Sequence, residues 1–331
     1  MSLGNLLTTC ACLLVTTIAA MADGPKDLPV GLAMKDQATI EAAGGEIDAY
    51  TAYWTAQLAA SEPARVKDAR SRLIKPPQTS GATSIFLNRY SAGALPALTR
   101  LIQSGTIIQA TNAIEVVRTL GTANAAFVLR DAINPQQQPK SQVRIVAAGA
   151  LRSAIAAFRK ETLTFTQQEA DRLVREVGTA AGQETNWVAF QSDVGALAAV
   201  AANRAFTDPT RSQALAQEFA ALSAATKRAS QGGADAGLIQ GLRRCIDLVM
   251  RQDLEISKPQ EKADFRKAAL GFLNGVVALG AKPPVADREL REAFACAARD
   301  AGGLQKKFGA VAAPESADPA KTASSGGRTG T

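Results

Sequence analysis

Seven basic side chains crowd one part of this sequence: Arg118, Arg130, Lys140, Arg144, Arg152, Arg159 and Lys160, with few acids among them. Such groups make and break no bonds by themselves, but they attract anions. The region is therefore either an ordinary solvated face or a docking surface for an acidic protein, an anionic glycan or a lipid. Arg118, Arg152 and Arg159 are the candidate binding contacts. The remaining chemical inventory is thin. The chain has no histidine, which removes Ser-His-Asp and Cys-His catalysis and histidine-based metal sites. It has neither a Gly-x4-Gly-Lys-Ser/Thr phosphate loop nor a Gly-x-Gly-x-x-Gly turn, so no cofactor is expected. Carboxylates can work in pairs without histidine, as in glycosidases. Glu115, Asp131 and Glu176 are the acids available for an enzyme, or an enzyme's accessory domain, acting on the cell envelope. Spacing alone does not bring them together.

Those charges need a regular framework to hold them. Ile107, Ala110, Ile114 and Val117 recur at the spacing of one helix face, with Gln109, Asn112, Glu115 and Arg118 on or beside the other. Gly121 suits a left-handed C-terminal cap, and Thr122 can cap the next helix. Val143, Ala147, Ala150, Leu151, Ala154 and Phe158 form another stripe. The spacing predicts helices over Ala92–Gln103, Thr106–Leu120, Asn124–Ile133 and Gln142–Phe158, grouped as two pairs. A helix of this kind buries one side only, so neighbouring pairs must stack.

Three segments carry a family pattern. Ala94-Leu95-Pro96-Ala97-Leu98 sets a proline among small and leucine residues. Val143-Arg144-Ile145-Val146-Ala147-Ala148-Gly149-Ala150-Leu151 has the form Val-Arg-x-x-Ala-Ala-x-Ala-Leu, and Phe265-Arg266-Lys267-Ala268-Ala269-Leu270-Gly271-Phe272-Leu273 echoes it. In these segments the chain resembles HEAT/armadillo-type helical repeat proteins. The resemblance implies an all-α fold, an α-α superhelix: a right-handed solenoid of stacked antiparallel helix pairs. It also implies that Arg144 and Arg266 bridge adjacent repeats through a carboxylate. Ile108-Gln109 stands where the first pair should have Val-Arg.

Elsewhere, an aromatic cluster at Tyr50, Tyr53 and Trp54 suggests an N-terminal cap over the first repeat, or a ligand-binding patch. Three further pairs follow: Gln167–Ala181 with Trp187–Ala202, Thr210–Ala229 with Ala236–Arg251, and Glu261–Leu279 with Ala286–Asp300. Gly237-Leu238-Ile239-Gln240 resembles the Gly-Leu-Met-Gln box of lytic transglycosylases. Their catalytic Glu-Ser should precede it, whereas Glu315-Ser316 follows it here. The expected division is 1–22 signal peptide, 23–45 extended lead-in, 46–310 HEAT-like repeat domain and 311–331 disordered tail.

Met1 to Ala22 carries no charged side chain, and Ala20-Met21-Ala22 is a small-x-small cleavage site. The expectation is export to the periplasm or the medium, with no membrane span after cleavage. The mature chain would keep Cys245 and Cys296, as two buried thiols or as a disulfide. Two cysteines without histidine make a poor zinc site. The net charge of +7 survives cleavage. Nucleic acid is not an expected partner, because no aromatic residues interleave the basic ones to stack bases. The partner is instead an unidentified protein or an anionic envelope polymer. N-terminal sequencing of the native protein should begin at Asp23, and an intact Met1 in the soluble cytoplasmic fraction would contradict export.

Overall fold

The computed structural model describes residues 25–158, 165–231 and 236–312. The expected signal segment, Arg159, Lys160, Thr162–Thr164 and the tail from residue 313 lie outside the described residues. Among the described residues the chain is helical, with no strand. A 3-10 turn, Leu32–Met34, and α1 (Gln37–Ala42) lead in. Six pairs follow: α2 (Gly44–Leu58) with α3 (Pro63–Ile74), α4 (Ser84–Ser104) with α5 (Ile107–Thr119), and α6 (Ala123–Ile133) with α7 (Ser141–Ala157). The remaining three are α8 (Gln167–Gln183) with α9 (Trp187–Ala202), α10 (Asp208–Ser230) with α11 (Ala236–Glu255), and α12 (Pro259–Ala281) with α13 (Arg288–Ala312).

Local chemistry sets most of the ends. Gly121 has φ 65°, the left-handed conformation that glycine adopts without a Cβ penalty. Thr122 then caps α6 by accepting from the Ala125 amide at 3.3 Å. Thr106 and Gln109 form a reciprocal capping box at the start of α5. α4 begins at Ser84, where the segment Ser84–Tyr90 also reads as a helix start, is capped by Thr83, and carries on through Pro96 to include the expected Ala92–Gln103 helix. α13 runs past Asp300 and through Gly302-Gly303 to Ala312. Leu304 and Phe308 continue its buried stripe after Phe294, Ala297 and Ala301, so burial outweighs the weak helix propensity of the glycines.

The pairs stack in two rows. First helices α2, α4, α6, α8, α10 and α12 each pack against the next, and second helices α3, α5, α7, α9, α11 and α13 do the same. The result is the expected all-α solenoid of helix pairs. Between the rows lies an interior rich in alanine: Ala94, Ala110, Ala113, Ala147, Ala148, Ala214, Ala225 and Ala269 are fully buried. Each contributes little at roughly 25 cal/mol per Å2, so cohesion is spread over many contacts. The aromatic cluster of α2 is part of this interior. Tyr50 and Tyr90 donate to the Arg72 and Leu73 carbonyls at the end of α3, at 2.9 and 3.0 Å.

Such carbonyl bonds recur along the array. A helix leaves its last carbonyls without intrahelical donors, and here a later element supplies them. Gln109 Nε2 donates to Ala59 O at 2.7 Å; Gln138 Nε2 and Lys140 Nζ donate to Ile102 O and Gly105 O at 2.8 and 2.6 Å. Asn203 Nδ2 donates to Ile155 O and Phe158 O at 2.7 and 3.1 Å, and Arg228 donates to Gly182 O and Glu184 O. Each bond fixes one pair on the pair before it.

Leu151 of α7 is fully buried in this interior. Leu151→Asp would place a carboxylate there, an error on the order of several kcal/mol. The expected outcome is loss of cooperative thermal melting by circular dichroism. An unchanged melting curve would mean that Leu151 meets solvent.

Candidate interaction surface

Arg118 lies on α5 and Arg152 on α7, neighbours in the second row. Arg118 is half-exposed, and its Nη2 donates to Glu115 Oε2 at 2.8 Å, one helical turn earlier. Its charge is therefore partly compensated, and its Nε is buried with no hydrogen-bond partner. Arg152 is exposed. Its stem lies over bare backbone of α9: a methyl group at Gly195 would come within 3.2 Å of Arg152 Cδ. The third candidate, Arg159, is outside the described residues.

The row holds more arginines than the sequence reading singled out. Arg70 of α3 donates to Asn112 of α5 at 3.0 Å. Arg244 of α11 sits 5.3 Å from the Trp187 ring centre on α9, and Arg243 pairs with Asp300 of α13 at 3.4 Å. These partners are far apart in sequence, so no local pattern connects them.

The carboxylates proposed for catalysis are engaged elsewhere. Glu115 holds Arg118; Asp131 and Glu176 both hold Arg130, and Glu176 also holds Arg172 at 3.0 Å. Arg130 and Arg172 both lie over the Phe127 ring. Each of the three acids thus has an arginine in place. Among the described residues no group of three or more Cys, Asp or Glu side chains is arranged to hold a metal ion. Gly237 and Gly241, in and just after the transglycosylase-like box, lie against Trp187, where a Cβ on Gly237 would come within 2.3 Å of the indole. Cys245 and Cys296 are free thiols.

The two arginines assigned a bridging role take it. Arg144 Nε and Nη2 donate to Glu184 Oε2 and Oε1 at 2.6 and 3.0 Å, joining α7 to the end of α8. Arg144 Nη1 donates to the Gln138 and Pro139 carbonyls at 2.9 and 3.1 Å. Glu184 Oε1 also accepts from the Asn186 amide at 2.6 Å. The hydrogen bonds to Glu184 hold the Arg144 pKa above its ordinary value. Arg266 reaches the opposite way, from α12 back to Asp253 on α11, with bonds of 2.6 and 3.0 Å. Lys307 of α13 approaches the same carboxylate at 3.5 Å. Burial alone would raise the Asp253 pKa, but the Arg266 bonds and the surrounding cations bring it below the ordinary carboxylate value.

Sequence reasoning missed the buried acids. Asp193 of α9 is fully buried, and neither carboxylate oxygen has a hydrogen-bond partner among the described residues. Burial pushes its pKa well above the ordinary range; Glu184 adds to the rise and Arg144 opposes it. Glu218 of α10 is likewise fully buried, with its pKa pushed up to about 8 by burial. Both stand on faces that are otherwise apolar, and that interruption of the stripe was the available signal.

The sequence matches no family model and no curated protein. Among solved structures, a designed armadillo repeat protein is similar over 75% of this chain and 98% of its own, with 15% identity and a TM-score of 0.36. At that score the likeness adds nothing to the fold seen in the packing of the helices themselves. Among the described residues no helix is long and apolar enough to cross a membrane.

Proposed function

We propose that this protein is an exported, non-catalytic scaffold that binds an acidic protein or an anionic envelope polymer along its second-helix row. The observation that carries the reading is the arginine series on that row, above all Arg152, exposed and without an ion-pair partner among the described residues, on a helix adjoining that of Arg118. A solenoid offers an extended surface of the kind repeat proteins use for binding. Export rests on the uncharged apolar start of the sequence. The carboxylate-enzyme reading gains no support from Glu115, Asp131 and Glu176, each tied to an arginine.

Arg118, Arg152 and Arg159 are the contacts in this reading. Their attraction for an anion must weaken with salt, because the Debye length falls from about 10 Å at 0.1 M to about 3 Å at 1 M. Exposed ion pairs contribute about 0.2–1 kcal/mol each. Replacing all three with serine should therefore weaken low-salt retention on envelope extracts or immobilised anionic polymer by roughly tenfold. Equal retention of variant and wild type would leave these arginines as an ordinary solvated face.

A further inference from the structure

Glu218 and Gln252 face each other between α10 and α11 in the fifth pair, both buried. Gln252 Nε2 donates to Glu218 Oε2 at 3.1 Å. The other oxygen of each group is unsatisfied: Glu218 Oε1 and Gln252 Oε1 are both buried with no hydrogen-bond partner among the described residues. Two acceptor oxygens cannot satisfy each other unless one carries a proton. A carboxylic acid can supply it, and a neutral acid and a primary amide then pair reciprocally, each donating once and accepting once. We propose that Glu218 is protonated in the folded protein and closes a two-bond acid–amide ring with Gln252, making the α10–α11 seam a pH-sensitive joint of the array.

The surroundings favour the neutral acid. Burial is the first cause raising the Glu218 pKa, to about 8, and the bond from Gln252 only partly offsets it. Among the described residues, the four helices packed against α10 bring it no compensating cation. On α8, Asp171 accepts from the Thr210 hydroxyl near the start of α10, Arg172 pairs with Glu176, and Arg175 is exposed. On α9, Asp193 lies near Arg144 and Glu184. On α11 and α12, Asp253 and Arg266 hold each other, while Asp247, Arg251, Asp264 and Lys267 are exposed. Cys245 of α11 shares the Glu218 environment; burial raises its thiol pKa, so it stays neutral beside the acid, and only an ionised Glu218 would raise it further.

A carboxyl whose folded pKa exceeds its unfolded value binds more protons folded than unfolded. Its contribution to stability is complete below the unfolded value of 4.5 and is lost as pH rises through about 8. Loss of the proton opens the ring and leaves an uncompensated carboxylate between α10 and α11.

The test uses the full chain with isotope-labelled glutamate carboxyl carbons, titrated by NMR. One glutamate should titrate near pH 8 and be absent from Glu218→Gln. If every glutamate has titrated by about pH 6, the proposal is overturned. Urea unfolding supplies a second readout. Between pH 5.5 and 7.5 the unfolding constant of wild type should rise by up to about tenfold per pH unit more than that of Glu218→Gln, whose amide can keep the ring at any pH. Asp193 is common to both proteins and cancels. Parallel pH dependences would also overturn the proposal. Should the variant fail to fold, the wild-type NMR titration decides alone.

Discussion

The array depends on a buried ion pair. Arg144 is 7% and Glu184 0% exposed, so two charges have been taken out of water. That desolvation costs several kcal/mol per ion and is offset only where geometry is good and the remaining groups are bonded. Here the guanidinium meets the carboxylate through two parallel bonds and also donates to two carbonyls, while Glu184 accepts a backbone amide as well. The pair stands where the third helix pair meets the fourth. Arg228 binds the Glu184 carbonyl from the fifth. One short turn thus gathers three successive pairs. With small alanines at the helix crossings, fixed polar contacts of this kind set the position of each pair on its neighbour.

This arrangement also shapes the surface. Helices held by their ends present their side chains at fixed places along the second row. Arg70, Arg152 and Arg244 each lie on a neighbouring helix of that row, through Asn112, Gly195 and Trp187 respectively. Their stems are positioned by packing while their charged ends remain near water, the usual compromise for long cationic side chains. The binding reading and the fold therefore have one physical origin: both follow from how each pair docks on the next.

Much of the fold was legible in the sequence because helix periodicity and caps are local. Gly121 and Thr122 end one helix and start the next as their side chains dictate. The sequence pattern ends the last helix at Asp300; only the stack supplies the burial of Leu304 and Phe308 that carries it on through Gly302-Gly303. The site was less legible. The role of Arg144 followed from the family resemblance, but Glu184 lies forty positions away and becomes its partner only through stacking. The compensation of Arg118 by Glu115 was readable from their one-turn spacing and changes the weight of Arg118 as a contact. Asp193 and Glu218 interrupt otherwise apolar helix faces, but their complete burial is set only when the neighbouring pair covers them.

The buried Arg144–Glu184 pair couples adjacent helix pairs, and a double-mutant cycle on unfolding free energy tests that coupling most directly. Removing one partner, by Arg144→Met or by Glu184→Leu, strands a buried charge and should cost about 3–5 kcal/mol in each case. Removing both together should cost much less than the sum, giving a coupling energy of at least about 1 kcal/mol. Strictly additive losses would mean that each side chain stabilises its own helix independently, and that the pair does not join the repeats.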